Sequence, residues 1–506
     1  MNANRLRNLF ASISVSFLLM ACGGGGGSNP LPPPGKFSNA SLTGQYAFSM
    51  TGTELCGGTG SIFTRVGSFT ADGNGHITTG LEDVNVCPGT GTLQFTGGNY
   101  AIGGDGRGIL QLTNSTGTTN YSIALSTTSA GTIIQTDPAA TASGTLQRQN
   151  PATFSNAAIS GGYAFGFNGV DVNGANVNPA SYVGRFDGDG AGGVTNGLFD
   201  SNIGGTLSGQ QLFPAGAFCQ LDTNGDGTQF GRGTAVIAGR TFAFYMVDAT
   251  RLKFIGTDFP SALAGEAFAQ QNIAFTNASL NGSFAFLIGG SSSSGPIATG
   301  GRFSADGAGN VTNVVLDENN SGTVTLLPNG MVSGSYAVDS NQFGGGTLTW
   351  TDSNVGTFSF IFYLVSPTQA VFQEVDSNIV SDGTFSGQSA TPITAASLAG
   401  DYIAAWSGIV DAEEDYSGQL TAASSGSFTG FIDFNQFSTG RQSIGLTLTG
   451  NLTVNGDGTQ DNTFTANVQG FASPVQFTAY VVNPNTIYMV GIDNNRVFAG
   501  SLVRQP

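Results

Sequence analysis

The feature that most narrows what this chain can fold into is a twelve-residue string that keeps returning. Phe37 to Phe48 reads FSNASLTGQYAF, Phe154 to Phe165 reads FSNAAISGGYAF, Phe275 to Phe286 reads FTNASLNGSFAF, and Ile393 to Ala404 reads ITAASLAGDYIA. The starts lie 117, 121 and 118 residues apart, and 114 residues run from the last start to the end. A period this long belongs to a domain with its own core, not to a solenoid unit of roughly 20–50 residues that needs its neighbours. The chain therefore divides into a leader and four modules, 37–150, 151–272, 273–390 and 391–506.

Within a module the signals are those of short strands. In module one they fall at 45–50, 62–70 and 76–86, with Asp72-Gly73-Asn74-Gly75 turning the chain between the last two. The turn recurs as Asp189-Gly190-Ala191-Gly192 and Asp306-Gly307-Ala308-Gly309, and has decayed to Ala423-Ser424-Ser425-Gly426 in module four. Asp-Gly followed by a second Gly marks a hairpin, because those positions tolerate positive φ. Later in each module apolar residues alternate, as in Phe242, Phe244, Met246 and in Phe358, Phe360, Phe362, Leu364. Period two is the mark of a half-buried strand, and no window carries helical periodicity.

Eight or nine strands joined in order by hairpins predict an all-β chain of four tandem antiparallel meander modules. Each closes most simply as an eight-stranded up-and-down barrel, which removes its exposed edges. The alternative is a two-sheet β-sandwich. Three further patterns repeat at fixed spacing. After each return strand comes Asp-x-Asn: Asp83/Asn85, Asp200/Asn202, Asp317/Asn319 and Asp433/Asn435. These are expected to cap turns through side chain–backbone bonds. Each module then closes on Asp, six residues and Gly (Asp137/Gly144, Asp258/Gly265, Asp376/Gly383, Asp493/Gly500), and on a Gln five residues later: Gln149, Gln270, Gln388 and Gln505.

The opening Leu-x-Gly-x-Tyr/Phe weakly resembles the Gly-x-Trp first strand of lipocalin-like barrels. In that family the Trp packs against an Arg of the last strand, which implies pairing of Tyr46 with Arg148 and of Tyr402 with Arg504. The repeats also resemble uncharacterised modules of bacterial secreted proteins with Asp-Gly-x-Gly hairpins, a resemblance that implies no activity.

The leader carries its own instruction. Arg5 and Arg7 precede an apolar run from Leu9 to Met20, followed by Ala21 and Cys22. A basic start, a short apolar core and a small residue before the cut define a secretory signal over 1–21, and the run is too short for a membrane span of about 20 residues. Leu19-Met20-Ala21-Cys22 resembles the lipobox of bacterial lipoproteins. The resemblance implies cleavage before Cys22 and acylation of that residue; Gly23, in place of an Asp, implies transport to the outer membrane, on its periplasmic face or at the cell surface. Residues 22–36 would then be a lipidated Cys followed by a Gly/Pro tether.

Composition limits the chemistry. Charged residues are 9% of the chain against a usual figure of about 25%, so the surface is mostly neutral and polar. A net charge of −17 argues against a nucleic-acid partner. The only histidine, His76, lies just past a hairpin turn and is expected to be exposed; one His excludes a Ser-His-Asp site in every module. Asp222-Thr223-Asn224-Gly225-Asp226-Gly227 has the start of a calcium loop, but Gly233 occupies the position where an EF-hand needs Glu. Asp222, Asn224 and Asp226 therefore remain weak calcium candidates, with a polar turn preferred. Cys56 and Cys87 fall in loops at the same end of a meander, and a secreted context predicts a disulfide between them. Cys219 is left over and is expected as a buried thiol.

No catalytic residue and no cofactor emerge. The reading is a lipid-anchored cell-envelope protein of four β modules with a non-enzymatic binding or scaffold role. It would meet the membrane through its lipid and an envelope polymer, glycan or protein through its modules. A lipocalin-like carrier of small apolar ligands and a carboxylate-only glycan hydrolase are the alternatives.

Overall fold

The computed structural model describes residues 35–506 except 175, 328–332, 353–355, 390–391, 410–411, 438–441, 457 and 459–461. Cys22 and the signal segment, with all of residues 1–34, lie outside the described residues.

Four antiparallel modules follow one another along the chain, three of them closed barrels and the second a barrel closed only in part. In module one, Thr43–Cys56 pairs with Thr59–Asp72 from Thr43↔Asp72 to Cys56↔Thr59, and on its other edge with Ala140–Arg148. The third strand, His76–Val86, is paired along its length by two shorter segments, Gly89–Phe95 and Gly97–Ile102, which together act as one strand. Eight positions therefore close the barrel. Module three repeats this plan, and module four is a closed barrel of eight unbroken strands. In module two the two ends of a nine-stranded sheet meet only through the bridge Gly193↔Phe218 and the bond from Cys219 N to Gly192 O (3.0 Å). Modules one, three and four form closed barrels, not sandwiches, because the sheet pairs back on itself within the module.

The strands are longer than their apolar runs. The first, with its expected core at 45–50, extends over fourteen residues. The return strand begins at His76, which is exposed. The Asp-Gly-x-Gly turns form as expected: Asp72 Oδ1 accepts from the backbone of Asn74 and His76, Asp189 Oδ1 from Ala191 and Gly193, and Asp306 Oδ1 from Ala308 and Asn310. A side-chain bond from Asn310 Nδ2 at 2.6 Å, together with those two backbone bonds, holds the Asp306 carboxyl down at about 2. The two Tyr–Arg pairs implied by the lipocalin likeness stand in register, Tyr46↔Arg148 and Tyr402↔Arg504.

Alternate residues fill each barrel. In module one Tyr46, Phe48, Met50, Phe63 and Phe69 meet inside, with Tyr46 and Phe69 stacked at 5.8 Å between centroids. In module three Trp350 lies 4.6 Å from Phe360 and 5.5 Å from Phe286. These rings occupy the space that a carrier would leave for a ligand. Cys219 is 1% exposed inside barrel two, as a free thiol.

Cys56 and Cys87 are bonded, with Cα atoms 5.8 Å apart across a separation of 31 residues. Closing a loop of that length removes unfolded-state entropy worth roughly 3–4 kcal/mol. Urea unfolding with and without reductant should show that loss; an unchanged midpoint would contradict it.

The residues between inward positions face neighbouring barrels, and here one expectation is corrected. The Asp-x-Asn pairs are not turn residues, although Asn319 Oδ1 does accept from Gly322 N of the turn that follows, at 3.0 Å. They lie within strands, in His76–Val86, Val194–Ile203, Asn310–Asn320 and Ser427–Gln436, and all eight residues are buried. Their side chains cross to the next module. Asn85 donates to Gly256 O and Ser261 O, Asn202 to Glu374 O and Ile379 O, and Asn319 to the carbonyls of Gly491, Asp493 and Arg496. Asn435 donates to Gln135 O, Asp137 O and Ala140 O, which belong to module one. The four barrels therefore close into a ring.

The terminal glutamines run in the same direction. Gln149 donates to Phe230 O and Met246 O, Gln270 to Phe343 O and Leu364 O, Gln388 to Val481 O, and Gln505 back to Asp105 O and Leu125 O. A backbone carbonyl left without its donor in a buried seam costs about 1–3 kcal/mol. The repeated polar residues thus specify how each barrel meets the next.

Candidate binding site

The seams determine what lies at the centre of the ring. The aspartate of each Asp-x-Asn pair anchors its seam. Asp83 accepts from both Arg232 Nε and Nη2 at 2.7 Å and from Tyr245 Oη at 2.7 Å. Asp200 accepts from Tyr363 Oη at 2.7 Å, and Asp317 from Tyr480 Oη at 2.6 Å. Apolar side chains pack beside these bonds, such as Ala47, Val66 and Leu81 against Val247 and Ile255. The closing seam differs. Asp433 is bonded by Ser122 and by Arg107, and Asp415 accepts from Thr141 Oγ1 at 2.7 Å.

Inside the ring is a cavity of about 610 Å³ to which all four modules contribute. Gly52, Gly169, Gly290 and Gly408 hold equivalent places in its wall. A Cβ at any of them would lie 1.9–2.0 Å from a carbonyl oxygen of the adjacent last strand, at Thr141, Ala262, Val380 and Val497. Glycine is required because the two backbones approach this closely. The remaining wall is largely apolar, with Ile62, Val170, Pro179, Pro296, Ile297 and Val497 among it.

Two carboxyls interrupt that wall. Asp382, from module three, accepts from Asn168 Nδ2 at 3.1 Å. Glu413, from module four, accepts from Thr53 Oγ1 of module one. Burial raises the Asp382 carboxyl to about 7. Burial, and then the nearby Asp415, raise that of Glu413 well above the usual range. Among the described residues of the wall there is no lysine or arginine.

The repeat shows that these acids are departures. Strand pairing sets Gly408 opposite Glu414, as Gly52 is opposite Phe63, Gly169 opposite Ala180, and Gly290 opposite Ile297. Glu413-Glu414-Asp415 therefore stands where the other modules have Ile62-Phe63-Thr64, Pro179-Ala180-Ser181 and Pro296-Ile297-Ala298. Asp382 precedes the closing-hairpin glycine where Ser143, Ala264 and Ala499 stand elsewhere. Sequence reading missed these residues because they break the repeat; a position-by-position comparison of the four copies would have exposed them.

No family model and no curated protein matches this chain. Among solved structures, a transferrin binding protein B mutant (Trp-176-Ala) from Haemophilus parasuis Hp5 is similar at 10% identity, over 70% of this chain and 76% of that one, with a TM-score of 0.17. Intact Ap-TbpB, with N and C lobes, is similar at 11% identity, over 74% and 83%, with a TM-score of 0.18. Scores this low carry no argument about this chain.

The other candidates fall elsewhere. Asp222 is bonded to Arg232 Nη1, and Asn224 Nδ2 donates to Asp226 Oδ2 at 3.1 Å. Asp226 opens a five-residue helix, Asp226–Phe230, whose last residue packs into the seam between modules one and two. The segment thus serves the seam, with one of its two carboxylates committed to an arginine. Lys253 is fully buried in the same seam, bonded to Ser49, Thr145 and Glu266, and desolvation lowers it to about 8.

Proposed function

We propose that the chain is a lipid-anchored, non-enzymatic binding protein of the bacterial cell envelope, whose four barrels act as one ring with the central cavity as its site. The observation that carries the reading is the cavity itself, walled by all four modules. Filled barrel interiors move the binding role from the modules singly to the ring they form. A rigid ring of linked barrels also suits a scaffold that presents its outer face to an envelope polymer, a glycan or a protein. The leader sequence supports delivery to the outer membrane through an acylated Cys22.

Two measurements test this. Growth on labelled palmitate should label the protein, and Cys22→Ala should abolish the label and release the chain from the membrane fraction. Label that persists in the variant would remove the anchor from the reading. A glycosidase screen should show no turnover; turnover lost in Asp382→Asn would replace binding by hydrolysis.

A further inference from the structure

The cavity wall limits what the ring can hold. We infer that the central cavity takes an organic cation, an ammonium group on an apolar body, with Asp382 and Glu413 facing the charge. The inference rests on the binding reading above and adds the ligand class.

Three observations lead to it. The wall offers apolar surface from Ile62, Val170, Pro179 and Pro296, which suits a hydrocarbon body and not a hydrated ion. Among the described residues its titratable groups are two carboxyls, from different modules, bonded to neutral partners: Asn168 for Asp382 and Thr53 for Glu413. A carboxyl removed from water without a cation is costly, and an incoming ammonium supplies the missing charge. Both acids occur in one copy only, at positions where the repeat elsewhere has Ile, Pro, Ala or Ser. Packing of the ring does not require them, since those neutral residues stand at equivalent places in the other barrels.

The surroundings agree. A chain of net charge −17 draws cations toward itself and repels anions. Burial raises both carboxyls, and a bound ammonium, which favours their charged form, would lower them again and so release protons on binding. Glu414 and Asp415 are the further acids on that strand: Glu414 accepts from Tyr416 Oη at 2.6 Å, and Asp415 from Thr141 of module one.

The test compares three probes of similar shape on the purified full chain: 4-phenylbutylammonium, 4-phenylbutanol and 4-phenylbutyrate. Titration calorimetry should find the ammonium at least tenfold tighter than the alcohol, with the carboxylate weakest. Repeating the ammonium titration near pH 6.5 in two buffers of different ionisation heat should show proton release on binding. The double variant Asp382→Asn/Glu413→Gln should bring the ammonium to the affinity of the alcohol while leaving the alcohol unchanged. Equal affinities in the unaltered chain, or a preference that survives in the double variant, would overturn the cation and leave a binding cavity. Failure of all three probes to bind would overturn both readings.

Discussion

Alanine in place of Arg232 will destabilise the protein by about 3–5 kcal/mol, the usual cost of removing one partner of a buried ion pair. The size follows from what the guanidinium leaves behind. Arg232 holds both oxygens of Asp83, at 2.7 Å each, and Asp83 is 3% exposed in the seam between modules one and two. Tyr245 and Thr92 still donate to that carboxylate, but neither carries charge. Arg232 also bonds Asp222, so its loss frees a second acid. Urea unfolding of Arg232→Ala, Asp83→Ala and the double variant gives the coupling directly. The double variant should be less damaged than the sum of the single ones. Additive losses below about 1 kcal/mol would mean a solvated surface pair of the ordinary kind.

Raising the pH from about 5 to about 8 should weaken the ring by several kcal/mol in total. Burial lifts the carboxyls of Asp382 and Asp415 to about 7 and that of Glu374 to about 8. In an unfolded chain such groups titrate near 4. Between those values the folded chain keeps protons that the unfolded chain has lost. The stability is therefore fully present below about pH 4 and is lost as pH rises through about 7 to 8. Asp415 and Glu374 are 0% and 1% exposed and carry most of the effect. Asp415 sits against Thr141 in the closing seam, so its ionisation loads the contact between modules four and one. Melting curves from pH 5 to pH 8 should fall steadily, and Asp415→Asn with Glu374→Gln should flatten the fall. A flat profile in the unaltered chain would show that these acids are ionised throughout.

Much of the fold was legible in the chain because it depends on local rules repeated four times. The Asp72, Asp189 and Asp306 turns, the period-two strands and the closing Tyr–Arg pairs are set by residues close in sequence or at matching ends of one module. The Cys56–Cys87 bond followed from hairpin order together with a secreted context. Closure of the meanders of modules one, three and four into barrels was also legible, since an open antiparallel sheet leaves two edges unpaired; the partial closure of module two was not.

The site was not legible, for a physical reason. Asn85, Asn202, Asn319 and Asn435 look like turn residues in sequence, because Asn commonly bonds nearby backbone. Their partners lie 171 to 300 residues away, and Asn435 reaches back to the first module. Only the outward faces of finished barrels bring those carbonyls within reach. The central cavity exists only after all four seams have formed, so no single module contains it. The chain determined by itself the modules, their antiparallel meanders and the signals of its leader. The tertiary structure alone decided that the barrels form a ring, and that Asp382 and Glu413, from different modules, face one space.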